Sequence, residues 1–291
     1  MAATQRPRTW ASTYYVKFRI FAGRILYDQP EYNGWHYGSR VVRIGPRSLL
    51  KRTSIVEAET MALVSRLTSL PIPRLRHIWV DRSVQQDGRK MCWVIMEYMP
   101  GRTWDQAWPD LSSNERDKIQ EQMRNYISQL RGIRPDGSPD GYVGPVGNHH
   151  CWDYKLDTSQ AYGPFPSLQS FYDHLLSTAE KLNEPVASNI HRDLLNAAHS
   201  HSPSSQTIFT HSDLAPRNIL IHNGEISAIL DWEQSGWWPY WWEHSKSLFA
   251  IGSVTEEVRK LWSSFVSETS PVYNAEFDLD IGIYEIVGLQ L

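Results

Sequence analysis

The chain has 291 residues and nearly balanced charge, 29 Lys+Arg against 32 Asp+Glu, for a formal net charge of −3. That balance argues against a protein that grips nucleic acid through a general basic excess, although a local basic pocket is still allowed. An apolar share of 41% with 21% charged residues excludes wholesale disorder, and at roughly 150 residues per domain the length allows one large domain or two lobes.

Two cysteines, Cys92 and Cys151, are too few for a disulfide framework and lack metal-ligand spacing. The longest apolar run, near Met91–Met99, falls short of the ~20 residues a membrane-spanning helix needs. The N-terminus MAATQRPRTW has no apolar signal core. The expectation is a cytoplasmic protein with neither a membrane nor a nucleic acid as partner. Thirteen tryptophans are many, and five of them fall between Trp232 and Trp242.

Residues 1–33 are aromatic and mixed, without a clear period. Val41–Ile44 and Ser48–Lys51, joined by Gly45-Pro46-Arg47, read as a two-stranded hairpin. Ser54-Ile55-Val56-Glu57 is a capping box. It opens a helix with Met61, Val64 and Leu67 at helical spacing, stopped by Pro71 and Pro73. Strands follow at Arg76–Val80 and Cys92–Tyr98, and Pro100-Gly101 breaks the chain. The predicted architecture is α+β in two lobes, a β-rich one over 1–98 and a mainly helical one over 99–291. In the second, Ser112-Ser113-Asn114-Glu115 is another capping box, for a helix that stops near Gly132. Residues 133–166 form an irregular insertion, Ser167–Leu182 is a helix, and Thr207–Thr210 is a short strand.

That strand leads into the segment that carries chemistry. Asn223-Gly224 sits between two alternating apolar runs, a strong hairpin signal. Closing the hairpin brings Asn218, just before its first strand, to Asp231, just after its second, with Asp213 on the loop before both. Phosphoryl transfer needs such a set. One Asp orients the acceptor hydroxyl and takes its proton, while an Asn and a second Asp hold magnesium against the nucleotide phosphates. His191-Arg192-Asp193-Leu194 spells a similar triplet, but Ala198 stands where the Asn is needed and no hairpin pattern follows.

HSDLAPRNIL (211–220), AILDWE (228–233) and SGWWPYWWE (235–243) resemble the aminoglycoside phosphotransferase/choline kinase-like family, which has the bilobal protein-kinase fold. TSLPIP (68–73) and YGPFPS (162–167) are similar to its fungal branch. Ser212 departs from the glycine usual there. The resemblance implies an ATP- and Mg2+-dependent kinase for a small-molecule hydroxyl, with Asp213 as base and Asn218 and Asp231 as metal ligands. The alternative is a catalytically inactive nucleotide-binding or regulatory protein of the same fold, favoured by a poor glycine loop (Gly34, Gly38). The absence of Asp-Phe-Gly and Ala-Pro-Glu speaks against a protein kinase.

The resemblance also implies a phosphate-binding lysine on the third strand paired with a glutamate on the next helix. Lys51 fits, with Arg43 as competitor. The glutamate is Glu57, which fits the family pattern in EAETMALV best although a capping role competes for it, or Glu59 on a different face of the helix. Glu97 and Met99 fall at the hinge, where their backbone groups would face adenine. Trp237–Trp242 reads as packing rather than a substrate platform. His149-His150 lacks companions for a metal site, His211 reads as a brace for the loop, and Glu233 and Glu243 are candidates to attract a cationic amine on the acceptor.

Overall fold

Strand β1 (Gln5–Pro7) and helix α1 (Trp10–Leu26) occupy the segment in which the sequence shows no clear period. The helix is started by Thr9 and Ser12. Each side-chain oxygen accepts the other's backbone N–H, at 3.2 and 2.8 Å, which satisfies two of the donors a helix start leaves open. Its period is hard to read because aromatic residues lie on the solvent side while the inward side is sparse, holding Ser12, Val16 and Gly23. A side chain at Gly23 would stand 2.4 Å from Arg43 O, so glycine is what lets the helix approach the neighbouring strand.

These are features of a computed structural model that describes residues 5–26, 41–85, 88–135, 141–152, 162–181, 207–249, 251 and 254–272. Gly34, Gly38, the 191–194 triplet and the C-terminal tail lie outside the described residues. The chain divides into two compact units, Met1–Ile119 with Pro216–Glu233, and Gln120–Ala215 with Gln234–Leu291.

In the first unit, β2 (Val41–Gly45), β3 (Ser48–Ser54), β4 (Leu75–Val84) and β5 (Lys90–Glu97) join β1 in a five-stranded sheet of order β1-β4-β5-β3-β2. β5 lies in the middle, which explains its unbroken apolar run: residues Met91 to Met96 are buried on both faces. Val16 of α1 clusters with Val42, Ile44, Leu50, Trp93 and Ile95 on one face. Helix α2 (Ile55–Leu67) begins where β3 ends, with Ser54 Oγ accepting the Glu57 N–H as predicted.

The same unit holds a second sheet, β10-β9-β6, made of β6 (Arg102–Thr103), β9 (Ile219–His222) and β10 (Glu225–Ile229). Asn223 and Gly224 join β9 to β10 with φ of 52° and 70°, the left-handed pair that a two-residue hairpin demands. The Ile229 N–H donates to Pro71 O at 2.9 Å and ties this hairpin to the segment after α2. Short helix α3 (Trp104–Ala107) follows β6, and α4 (Ser113–Arg131) starts on the second predicted capping box: Ser112 N–H donates to Glu115 Oε2 at 2.9 Å and Glu115 N–H to Ser112 Oγ at 3.4 Å.

In the second unit, β7 (Gly144–Pro145), β8 (Thr207–Thr210) and β11 (Gly236–Pro239) form a sheet of order β7-β11-β8, accompanied by α5 (Leu168–Lys181), α6 (Trp242–Phe249) and α7 (Glu256–Thr269). The tryptophans pack as predicted. Trp238 stacks on Trp242 with centroids 5.0 Å apart, and Phe171 meets both edge-on. Three of the indole N–H groups in this run find acceptors, Trp237 on Ile133 O at 3.1 Å, Trp238 on Gln234 O at 3.2 Å and Trp241 on Tyr172 Oη at 3.3 Å, so that ring mass is buried without stranding those donors.

Candidate active site

Successive side chains of a strand alternate faces. With Leu50 on the α1 side, Lys51 lies on the side where α2 begins. Its Nζ stands 2.7 Å from Glu57 Oε1 and 2.9 Å from Asp231 Oδ1. Thr53 Oγ1 donates to the other oxygen of the Glu57 carboxylate. Burial by itself would depress the Lys51 ammonium. The carboxylates of Asp231, Glu57 and Glu233 reverse that and hold it above the ordinary lysine value. Glu59, in contrast, accepts from Gln5 Nε2 at 3.1 Å on an exposed face. Arg43 donates to Pro46 O at 3.1 Å and lies over the Tyr98 ring. The structure therefore brings Lys51, Glu57 and Asp231 together and leaves Arg43 and Glu59 elsewhere.

Asp231 is set by the hairpin. The Leu230 N–H donates to Asn218 O at 2.8 Å, so the residues flanking the two strands are held together. Asp231 itself adopts φ of 67°, a left-handed conformation that L-residues with a Cβ rarely take and that recurs at functional sites. Its neighbour Glu233 has its carboxyl pushed up, first by burial and then by the Asp231 charge. Asn218 and Asp231 are oxygen donors of the hard kind that magnesium takes, and Lys51 adds a fixed positive charge to the same unit.

In the second unit, Asp213 follows a braced turn. Ser212 has φ of 66°, which gives the physical reason glycine suits this position. The N–H groups of His211 and Ser212 both donate to the buried Glu243 carboxylate, the latter at 3.2 Å. Ser212 Oγ lies 2.7 Å from Thr210 Oγ1, and Ser235 Oγ donates to His211 O at 3.0 Å. The Asp213 N–H donates to His211 Nδ1 at 3.2 Å. The ring therefore accepts at Nδ1, and a neutral imidazole carries its proton on Nε2. This is the bracing part expected of His211.

Glu243 corrects the reading of it as an attractor of cationic amines. It is 3% exposed, and its carboxylate is committed to two backbone amides. Burial pushes that carboxyl up to about 7 against the pull of those hydrogen bonds. Sequence reasoning missed this brace because the partners lie 32 and 31 residues apart and backbone amides leave no trace in a sequence. At the predicted hinge, the Glu97 N–H already donates to Arg74 O at 3.0 Å, so the adenine-facing reading concerns the Glu97 carbonyl and the Met99 N–H. His150 Nδ1 lies 2.9 Å from Gly163 O. No group of three or more His, Cys, Asp or Glu side chains gathers as a metal site among the described residues.

A family model described as "APH: Phosphotransferase enzyme family" matches residues 28–265. No curated protein sequence matches the chain. Among solved structures, a thermostable mutant of aminoglycoside phosphotransferase APH(4)-Ia in its apo form is 14% identical, with 84% of this chain and 79% of that chain covered and a TM-score of 0.54. The streptomycin-ATP-APH(2")-IIa ternary complex is 15% identical, with 96% of this chain and 93% of that chain covered and a TM-score of 0.53. A ternary complex of a thermostable APH(4)-Ia mutant with AMP-PNP and hygromycin B gives 14% identity, 86% and 80% coverage and a TM-score of 0.53. At such identities the likeness is one of fold, and the fold is α+β and protein-kinase-like.

Proposed function

The chain belongs to the phosphotransferase enzyme family, and from that premise we propose that it moves the γ-phosphoryl group of ATP to a hydroxyl of a small molecule. The observation that carries this reading is the Lys51–Glu57–Asp231 ion-pair cluster. It joins residues 6 and 180 positions apart, each singled out for its own part in phosphoryl transfer.

In this reading Lys51 holds nucleotide phosphate oxygens, and Glu57 keeps the lysine extended. The strand end at Glu97 and Met99 receives the adenine. Asn218 and Asp231 hold magnesium, which supplies positive charge against the phosphates when bound. Asp213 orients the acceptor hydroxyl and takes its proton as the new O–P bond forms and the bond to the ADP oxygen breaks. The β-rich lobe at 1–98 serves the nucleotide, and residues 99–291 supply the catalytic loop and the acceptor pocket. Positioning and charge dominate, because little covalent chemistry falls to the protein.

The test pairs calorimetry of Mg-ATP binding with an ADP-release screen over amino sugars, choline-like alcohols, sugars and hydroxylated metabolites. The intact protein binds Mg-ATP and turns it over with an acceptor in that panel. Asp213→Asn keeps nucleotide binding and lowers kcat by about 10²–10⁴-fold, the range for losing a general base. An intact protein that does not bind Mg-ATP refutes the reading. Binding without turnover across the panel favours a nucleotide-binding regulatory protein.

A further inference from the structure

Among the described residues, helix α1 carries most of the large hydrophobic side chains left open to solvent. Of seven large hydrophobic side chains exposed among the described residues, five lie on it: Trp10, Tyr14, Tyr15, Phe18 and Phe21. Trp10, Tyr14, Phe18 and Phe21 are 64–80% exposed. At ~100° per residue they fall within an arc of about 80°, a single ridge along the helix. The opposite side, with Val16, packs on the sheet. Lys17 stands exposed at the edge of the ridge, and Arg6 is exposed on the preceding strand. Residues 1–27 contain five basic and no acidic residues, a charge of +5 that leaves −8 for residues 28–291. The family match covers residues 28–265 and begins after this element.

We propose that α1 docks the protein on the surface of an anionic phospholipid bilayer, lying in the interface plane with the aromatic ridge at headgroup depth. Trp and Tyr rings favour that depth because they are apolar in body and polar at the tip. Lys17 extends along the ridge to reach lipid phosphates. Charge decides between occupants. A second copy would set the exposed Arg6 and Lys17 of one chain against those of the other, and an apolar groove on a protein would have to strip water from Lys17. A bilayer with anionic headgroups takes both the rings and the cations. A helix lying on a surface needs no membrane-crossing run, and no helix among the described residues is long and apolar enough to be one. The inference stands independently of the phosphotransferase reading.

The experiment is co-sedimentation of the full chain with phosphatidylcholine vesicles, pure or containing about 30 mol % phosphatidylserine. Binding to the anionic vesicles is at least about tenfold stronger, and it weakens at about 0.5 M salt, where charges are screened within a few ångströms. The triple variant Trp10→Ala/Phe18→Ala/Phe21→Ala loses that binding about tenfold or more, and so does Lys17→Glu. Both keep the wild-type circular dichroism, since the replaced side chains are exposed. Equal binding to the two vesicle types, or a triple variant that binds like wild type, overturns the proposal. So does a wild-type dimer that the triple variant converts to monomer without any vesicle binding.

Discussion

Ser212 and Glu243 show how a single turn is held in a conformation it would not choose. A serine at φ of 66° costs on the order of 1–2 kcal/mol relative to ordinary backbone. The two amide hydrogen bonds to Glu243 and the contact with Thr210 offset that cost. Glu243 also links this turn to pH. Its folded carboxyl sits near 7 against an ordinary 4.5. The raised value means its contribution to stability is fully present below about pH 4.5 and is lost progressively as pH rises through about 7. Glu243→Gln cannot ionise. The stability difference between wild type and this variant, from urea midpoints between about pH 4.5 and 8, therefore shifts against the wild type by on the order of 3 kcal/mol. A difference that stays level over this range shows that the carboxyl is not raised.

Elements succeed here where backbones come close. β11 is flanked by β7 and β8, with Gly236 opposite Pro145 on one side and Thr210 on the other. A Cβ at Gly236 would stand 2.4 Å from Gly144 O and 2.9 Å from Pro145 Cα. Both are backbone atoms that no rotamer change can move away, so β7 and β11 must part. Gly236→Ala costs about 2–3 kcal/mol in urea denaturation, in the range for overpacking a tight site. Because Thr210 leads directly into the 211–213 turn, the same change lowers turnover. Gly45→Ala is the control. Its Cβ meets nothing nearer than Ser48 Cβ at 3.6 Å, and it stays within about 1 kcal/mol of wild type.

At the scale of the molecule, a net charge of −3 is compatible with holding a polyanionic nucleotide, because the positive charge is placed rather than abundant. Lys51 is fixed between two carboxylates, and its removal leaves both largely buried without that positive charge. Lys51→Met therefore lowers stability by about 3 kcal/mol. A ligand that binds only the folded state stabilises it by about 2.7 kcal/mol at a hundredfold excess over Kd. Mg-AMP-PNP at that excess raises the wild-type Tm by several degrees in a thermal-shift measurement and leaves the Tm of Lys51→Met unmoved. An equal shift in both proteins removes Lys51 from the nucleotide site.

Residue order alone specified the local pieces: both capping boxes, the Asn223-Gly224 hairpin, the strand at Lys51, and with them the residues flanking Asn218 and Asp231. Each rests on interactions within a few residues, and residue type suffices to specify such contacts. Three-dimensional packing was needed to set Glu59 apart from the preferred Glu57 as the partner of Lys51 and to bring Asp231 into the cluster from 180 positions away. It also assigned Glu243 to the 211–212 backbone instead of an acceptor. Helix α1 belongs with these. Its sparse inward face makes sense only against the sheet that covers it, and its aromatic ridge stands out only once that face is accounted for. Local signals name the candidates, but which of them meet is set by long-range packing, where partners are chosen by shape and burial rather than by spacing along the chain.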